Sequence, residues 1–267
     1  MMKKIECLIL DWAGTAVDYG CFAPVDAFVK SFKAIGTSVT AEETRAHMGL
    51  TKIEEIRALF AIGHVKDEFK ANHGRDYTEE DVQECYMEFQ AALFGTLEEY
   101  SKPIPRVVET ISALRKKGIK IGSTTGYTGK MMDVVIPAAA KHGYKVDCCV
   151  TSDNLPCGRP KPYMIYQNLC QLDIQSRRAA IKIGDTISDI KEGVNAGVWS
   201  VGVIIGSNEL ALTEDEVRNM PDSELRERMA AVRKRMYAAG ADYVIDSFKE
   251  LPDLIECIEK RMENMNL

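Results

Sequence analysis

The second half of the chain alternates between short apolar runs and amphipathic segments, and this pattern restricts the fold more than any other feature. From about residue 105 onward, helix-like segments separate strand-like runs at 119–123, 180–184 and 198–205. Parallel strands need long crossover connections, so this alternation is typical of a doubly wound parallel sheet with helices on both faces. Near the start, the apolar run from Cys7 to Leu10 suits a strand buried on both faces of the same sheet.

Residues 18–102, which we call the helical block, contain no convincing strand. Three capping-box signals predict helix starts there, at Thr40 with Glu43, Thr51 with Glu54 and Thr78 with Asp81. The first strand lies before this block and the other strands follow it. We therefore predict an α/β protein with a Rossmann-like core (1–17 and 103–267) and an inserted all-helical domain (18–102).

Polar residues follow several predicted strands at the points where those strands end. They are Asp11, the segment 124–126, the loop 153–161 and the segment 185–189. Parallel strands place their carboxyl ends at one edge of the sheet, where ligands bind in open α/β folds. We expect these four segments to meet there, although each one alone is equally well read as an ordinary turn.

The residue types in these segments suit a phosphoryl group and a metal ion. Carboxylates such as Asp11 and Asp185, with a backbone carbonyl and water, are the oxygen ligands that Mg²⁺ prefers. The hydroxyl of Thr125 and the backbone N–H of Gly126 suit phosphoryl oxygens. Arg159 is our phosphate-binding cation, with Lys161 as the alternative.

Composition limits the other classes of partner. The net charge of −6 gives no general attraction to nucleic acid or to anionic membranes. No apolar run approaches the ~20 residues that span a bilayer, and Glu6 interrupts the run after the basic start, so we predict no signal peptide. Eight cysteines without a CxxC pair predict reduced thiols in a cytoplasmic protein, and the four histidines show no metal-ligand spacing.

Taken together, Asp11, Thr125 with Gly126, Arg159, and Asp185 with Asp189 resemble, in this order, the four motifs of the haloacid dehalogenase-like hydrolase superfamily. The helical block lies where that superfamily carries a cap domain. Four segments are similar, more specifically, to the phosphonoacetaldehyde hydrolases, which are also called phosphonatases. They are 11–15 (DWAGT), 19–24 (YGCFAP), 48–52 (MGLTK) and 122–128 (GSTTGYT).

This resemblance implies a Mg²⁺-dependent enzyme that cleaves the carbon–phosphorus bond of phosphonoacetaldehyde to give acetaldehyde and phosphate. It assigns the nucleophile to Asp11 and an imine-forming amine to Lys52, with Asp11, Asp185 and the backbone carbonyl of Ala13 as metal ligands. It also implies a homodimer formed through cap helices. We expect Asp189 either to orient the metal ligands or to stabilise the first turn of a helix.

Ala13 and Lys52 are the specific part of the resemblance. The phosphatases of the superfamily usually carry a second aspartate two residues after the nucleophile, and alanine cannot replace it as a proton donor. A carbon leaving group needs an electron sink instead, which the imine of an amine and an aldehyde provides. Lys52 is expected at the first position of a helix, where burial must contribute more than the helix dipole to favouring a neutral amine.

Glu55 departs from the phosphonatases that we compare, which have histidine three residues after the lysine. Residues three apart share a helix face. Glu55 can therefore stabilise the Lys52 ammonium, shuttle protons during imine formation, or point elsewhere into solvent.

Three further residues, Cys21, Met48 and Tyr127, either line the cleft between cap and core or serve in ordinary packing. Two other functions remain open from the sequence. One is a phosphatase or phosphoryl transferase of the same superfamily, against which Ala13 argues. The other is a non-catalytic phosphonate- or phosphate-binding protein, for which Glu55 is the only hint.

Overall fold

The computed structural model describes residues 4–264, and within that range the chain forms six strands and twelve helices. The outermost residues of the predicted core, 1–3 and 265–267, lie outside the described residues. The strands are β1 (Cys7–Leu10), β2 (Lys120–Thr124), β3 (Cys148–Val150), β4 (Ala180–Gly184), β5 (Trp199–Val203) and β6 (Tyr243–Ile245). The helices are α1 (Phe22–Ala34), α2 (Ala41–Arg45), α3 (Lys52–Phe60), α4 (Gly63–His73), α5 (Glu79–Phe94), α6 (Val107–Lys116), α7 (Gly129–Lys141), α8 (Tyr163–Gln171), α9 (Ile187–Ala196), α10 (Glu214–Asn219), α11 (Asp222–Ala238) and α12 (Leu251–Asn264).

The strands form one sheet in the order β3-β2-β1-β4-β5-β6, and each neighbouring pair is parallel. β1, β4 and β5 are buried along their whole length, which explains why their sequences are apolar on both faces. The predicted fold class, a parallel doubly wound sheet with an inserted set of helices, is confirmed. β1 lies in the middle of the sheet, between β2 and β4, so Asp11 follows a central strand.

Local sequence signals place several helix starts. The capping boxes that the sequence predicts are present at Thr40 with Glu43, Thr51 with Glu54 and Thr78 with Asp81. A fourth, at Ser247 with Glu250, precedes α12 through a 3₁₀ turn (Phe248–Glu250). Each box pairs backbone N–H groups that the first turn of a helix leaves without partners.

The helical block is all-helical, as the sequence predicts, and contains one helix more than predicted. The sequence does not single out α4 as a separate helix, and α4 begins at Gly63 without a side-chain cap. α1 starts two residues before Pro24, because both oxygens of the Asp18 carboxylate accept N–H groups, from Phe22 and Ala23 at 3.1 Å each. Pro24 therefore lies inside the first turn, where its missing N–H costs nothing.

The block and the sheet share one hydrophobic core. Phe28 of α1 stacks on Phe89 of α5 with ring centroids 4.2 Å apart. The same cluster of buried residues continues to Leu8 and Leu10 of β1. None of the helices in residues 4–264 combines the length and apolar character that a bilayer crossing requires. The eight cysteines are free thiols in this structure.

Candidate active site

One pocket lies at the carboxyl edge of the sheet, between the strand ends and the helical block. Its lining contains most of the residues that the sequence singled out. They are Asp11, Ala13, Cys21, Pro24, Met48, Gly49, Lys52, Thr125, Gly126, Tyr127, Arg159 and Thr186. Asp185, Asp189 and Glu55 lie behind this surface, whereas Lys161 is exposed. The pocket thus brings together Asp11 from the core and Lys52 from the block.

Asp11 occupies the floor of the pocket and is 5% exposed. Its backbone N–H donates to Ile183 of the neighbouring strand β4 at 2.9 Å, which fixes the chain just beyond β1. Its Oδ1 lies 2.7 Å from Nη2 of Arg159, whose side chain is also buried. The Arg159 guanidinium therefore lies close to any anion that binds beside Asp11.

Asp11, Asp185 and Asp189 form what we call the acidic cluster, in which one carboxylate oxygen of each lies within 4.8 Å of the others. Both oxygens of Asp185 are held at 2.8 Å, one by the Thr15 hydroxyl and the other by the Asn208 backbone N–H. A Cβ at Gly14 would lie 2.2 Å from Asp185, so only glycine leaves room for this carboxylate. Burial, and then the charges of Asp11 and Asp189, raise the pKa of Asp185 well above its ordinary value.

Two cations face the acidic cluster, and one of them was not identified from the sequence. Nζ of Lys182, in the middle of β4, lies 2.8 Å from Oδ1 of Asp189 and donates to the Thr124 hydroxyl at 2.9 Å. Lys182 is 1% exposed. A lysine inside an otherwise apolar strand is the signal that predicts such a residue, because lysine is almost never fully buried without a partner.

Glu192 of α9 completes the group and was also missed by the sequence analysis. Its Oε2 accepts from Nε of Arg159 at 3.0 Å and lies 3.4 Å from Nζ of Lys182. The helical periodicity of α9 gives no reason to expect a fully buried glutamate. We call Asp11, Asp185, Asp189, Glu192, Arg159 and Lys182 the buried charge network.

The residues present fit a divalent cation. The buried charge network contains four carboxylates and two cationic side chains, which leaves two negative charges unbalanced when all groups are ionised. Buried charges without partners are costly, so this arrangement favours one added dication. The donors that converge are carboxylate oxygens, which are the ligands that Mg²⁺ prefers.

Asp189 stabilises the first turn of α9, which is one of the two roles that the sequence left open, and it also contacts the buried cations. Its Oδ2 completes a capping box with Thr186 at the start of α9, while its Oδ1 faces Lys182 and Arg159. Burial opposes ionisation of Asp189, but the charges of Arg159 and Lys182 outweigh it and lower its pKa. One carboxylate therefore ties the helix start to the buried cations.

Lys52 is the first residue of α3 and is 5% exposed. Its Nζ lies 5.4 Å from the ring centroid of Phe28 and 5.6 Å from that of Tyr127. Nζ donates to Oε2 of Glu55 at 2.8 Å and to the sulfur of Met48 at 3.8 Å. The amine is therefore enclosed by two aromatic rings, one thioether and one carboxylate.

Glu55 does not point into solvent. It is 1% exposed, and its second oxygen accepts the Gly49 backbone N–H at 2.9 Å. Burial raises the pKa of Glu55, although the neighbouring charge of Lys52 acts in the opposite direction. Of the three alternatives, only those in which Glu55 contacts Lys52 agree with this geometry.

Comparisons with known proteins agree with one another. A family model described as haloacid dehalogenase-like hydrolase matches residues 5–197. The phosphonoacetaldehyde hydrolase of Bacteroides fragilis is 54% identical over 263 residues, covering 98% of this chain and all of that protein. The phosphonoacetaldehyde hydrolase of Bacillus cytotoxicus is also 54% identical, over 97% of this chain and 98% of that protein.

Solved structures give the same picture of the fold. A phosphonoacetaldehyde hydrolase-like protein from Oleispira antarctica superposes with a TM-score of 0.94 at 34% identity, covering 97% of this chain and 94% of that one. A β-phosphoglucomutase from Clostridium difficile has a TM-score of 0.69 at 16% identity, over 96% of this chain and 98% of that one, which shows a shared fold alone.

Proposed function

Because the chain belongs to the haloacid dehalogenase-like hydrolases and, within them, to the phosphonoacetaldehyde hydrolase family, we propose that it hydrolyses phosphonoacetaldehyde to acetaldehyde and phosphate. The observation that carries this proposal is the meeting of Asp11 and Lys52 in one pocket. A carboxylate there can attack phosphorus, while an amine there can condense with the aldehyde two bonds away.

Lys52 activates the substrate for cleavage of the carbon–phosphorus bond. Its neutral amine adds to the aldehyde carbon and water leaves, which gives a protonated imine. Asp11 then attacks phosphorus, the carbon–phosphorus bond breaks, and its electron pair moves into the imine to form an enamine. Water hydrolyses the aspartyl phosphate to phosphate. Protonation at carbon and hydrolysis of the resulting imine release acetaldehyde and regenerate Lys52.

Glu55 transfers protons during formation of the imine. Its Oε2, 2.8 Å from Lys52 Nζ, can take the ammonium proton and return it to the hydroxyl that leaves as water. Burial raises the pKa of Glu55, so the doubly neutral pair lies closer in free energy to the ion pair than it would in water. The same contact between Glu55 and Lys52 can therefore bind the ammonium before the reaction and transfer its proton during the reaction.

Phosphate binding falls to residues around Asp11. The Arg159 guanidinium contacts Asp11 directly, and Thr125 and Gly126 line the same wall of the pocket. Backbone N–H groups and a guanidinium are suitable donors to phosphoryl oxygens. Asp11, Asp185 and the Ala13 carbonyl would hold a Mg²⁺ ion, which would neutralise negative charge on the carboxylate and on the phosphoryl group.

A phosphate-release assay tests the proposal. We expect the wild type to release phosphate from phosphonoacetaldehyde, and Asp11→Asn and Lys52→Arg to reduce the rate by at least ~1,000-fold, as for loss of a covalent catalyst. Borohydride should trap a substrate adduct on Lys52 in the wild type and in Asp11→Asn. Lys161→Arg, at an exposed lysine two residues after Arg159, is the matched control and should behave as wild type.

The same assay separates the two other candidate functions. Faster turnover of simple phosphate esters than of phosphonoacetaldehyde would identify a phosphatase, an outcome that Ala13 makes unfavourable because it offers no proton to a leaving oxygen. Tight binding of phosphonoacetaldehyde without phosphate release would identify a binding protein. Either result would overturn the proposal.

We also propose a cytoplasmic homodimer. The free state of the eight cysteines suits a reducing compartment. Two apolar side chains on α5, Met87 and Phe94, are 61% and 39% exposed and lie seven residues apart on one helix face, which suits a contact between helical blocks. Sedimentation of the wild type and of Met87→Glu tests this assembly, and a monomeric wild type would contradict it.

A further inference from the structure

Arg45 connects the helical block to the loop after β5. It is the last residue of α2, and its Nη1 donates to the Asn208 side-chain oxygen at 3.0 Å. In return, Nδ2 of Asn208 donates to the backbone carbonyl of Arg45 at 3.2 Å. Both polar ends of one amide are therefore paired with one residue of the block.

Asn208 also contacts the acidic cluster directly. Its backbone N–H donates to Oδ2 of Asp185 at 2.8 Å, and the residue is 2% exposed. A buried amide is costly unless its donors and acceptor are paired, so the position of Asn208 depends on Arg45. Asp185 in turn depends on Asn208 for one of its two hydrogen bonds.

The guanidinium is itself held in place by the first residues of the block. Nη1 donates to the Gly20 carbonyl at 2.7 Å, and the guanidinium carbon lies 4.7 Å from the ring centroid of Phe22. The Gly20 N–H donates to the Gly206 carbonyl at 2.8 Å. The end of α2, the segment before α1 and the loop after β5 thus meet at one junction.

We propose that Arg45 is a positioning residue for Asp185: through the side chain of Asn208 it holds the backbone N–H that orients this carboxylate, so the helical block sets the divalent-cation affinity of the core. The inference rests on the proposed function, because it assigns Asp185 to the metal. Partners that orient a ligating carboxylate contribute to metal affinity without touching the metal.

Three variants separate this role from ordinary packing. Arg45→Met keeps the length of the side chain and its contact with Phe22 but removes the donors. Asn208→Ala keeps the backbone N–H and removes the amide that Arg45 holds. Arg45→Lys keeps the charge and a donating nitrogen, and should restore part of what Arg45→Met loses.

The readout is binding of Mn²⁺ alone to the substrate-free protein, followed by the electron paramagnetic resonance signal of the free ion. We expect Arg45→Met and Asn208→Ala each to raise the Mn²⁺ dissociation constant about 10-fold, the lower end for a group that orients a metal ligand. The double variant should be no worse than either single variant, because both act through the same hydrogen bond. Arg57→Met, which loses only an exposed ion pair with Glu79, is the matched control and should bind as wild type.

Steady-state kinetics gives a second readout. At saturating Mg²⁺ the Arg45→Met enzyme should recover its kcat with an unchanged KM for phosphonoacetaldehyde, whereas its apparent Mg²⁺ requirement should rise. Equal Mn²⁺ affinity in the wild type and in Arg45→Met, or additive losses in the double variant, would overturn the positioning role alone. A wild type that binds no Mn²⁺ would overturn the metal assignment and this inference together.

Discussion

At the scale of single residues, the contact between Lys52 and Glu55 bears on the proposed imine step. Both side chains are almost fully buried, and their charged atoms are 2.8 Å apart. A buried ion pair pays a desolvation cost that a neutral pair avoids, so moving the proton from nitrogen to oxygen loses less free energy here than at a protein surface. The Gly49 N–H fixes the other oxygen of Glu55, which keeps Oε2 directed at the amine.

Replacing Glu55 by glutamine should slow imine formation. Glutamine keeps the shape of the side chain and an oxygen for the Gly49 N–H, but it cannot take the proton of Lys52. We expect the rate of borohydride trapping and of phosphate release to fall together by about 100-fold, the lower range for general acid–base catalysis.

Glu54→Gln on the same helix is the matched control. Glu54 accepts from the Thr51 hydroxyl at 2.6 Å in the capping box of α3, and glutamine serves the same box. It should leave both rates unchanged. If Glu55→Gln trapped substrate as fast as the wild type, the carboxylate would have no part in proton transfer.

Sequence patterns predicted the residues of the pocket better than the residues beneath it. Asp11, Thr125, Gly126 and Arg159 follow strands, and a strand end at the sheet edge is a position that periodicity identifies. Lys182 and Glu192 lie inside a strand and a helix. Their burial depends on partners that are distant in sequence, and a single sequence does not contain that information.

At the scale of elements, signals between neighbouring residues were the most reliable. The three capping boxes predicted in the helical block exist because each depends on residues three apart in the chain. α4 was missed for the corresponding reason: it begins at Gly63 after Ile62, neither of which provides a side-chain cap. Its helical state depends instead on burying Val65 and Phe69 against the block.

Gly126 follows the end of β2 and packs closely against the loop before α3. A Cβ on this residue would lie 2.4 Å from the Leu50 carbonyl oxygen, and the Lys52 Cε is 3.9 Å away. Gly126→Ala should therefore displace the start of α3 and with it the amine. We expect kcat/KM to fall by up to about 100-fold, the effect of a displacement near 1 Å in a reacting group.

Gly63→Ala is the matched control for this substitution. Nothing lies within 4 Å of a Cβ at Gly63, and alanine should stabilise α4 by up to ~1 kcal/mol. Circular dichroism should show both variants folded, while the kinetic loss should be confined to Gly126→Ala. Full activity in Gly126→Ala would show that the contact with Leu50 does not position Lys52.

At the scale of the whole molecule, the order of the strands determines which loops meet. β2 and β4 flank β1, so the loops that carry Thr125 and Asp185 lie on either side of Asp11. The sequence predicted a doubly wound parallel sheet but not this order, because pairing between distant strands leaves no local signal. The insertion of the block after β1 then places Lys52 and Arg45 above the same edge.

From the buried charge network we expect the stability of the whole chain to depend on a divalent cation. With four carboxylates facing Arg159 and Lys182, a dication that binds the folded state alone removes like-charge repulsion among Asp11, Asp185 and Asp189. At 100 times its dissociation constant, Mg²⁺ should add about 2.7 kcal/mol to the free energy of unfolding. Urea denaturation in Mg²⁺ and in a chelator measures this difference.

Two variants test whether the stabilisation depends on the acidic cluster. Asp185→Asn should abolish most of the stabilisation by Mg²⁺, whereas Asp215→Asn, at an exposed carboxylate on α10, should leave it intact. A wild-type transition that is the same with and without Mg²⁺ would contradict the charge balance on which the metal site is based.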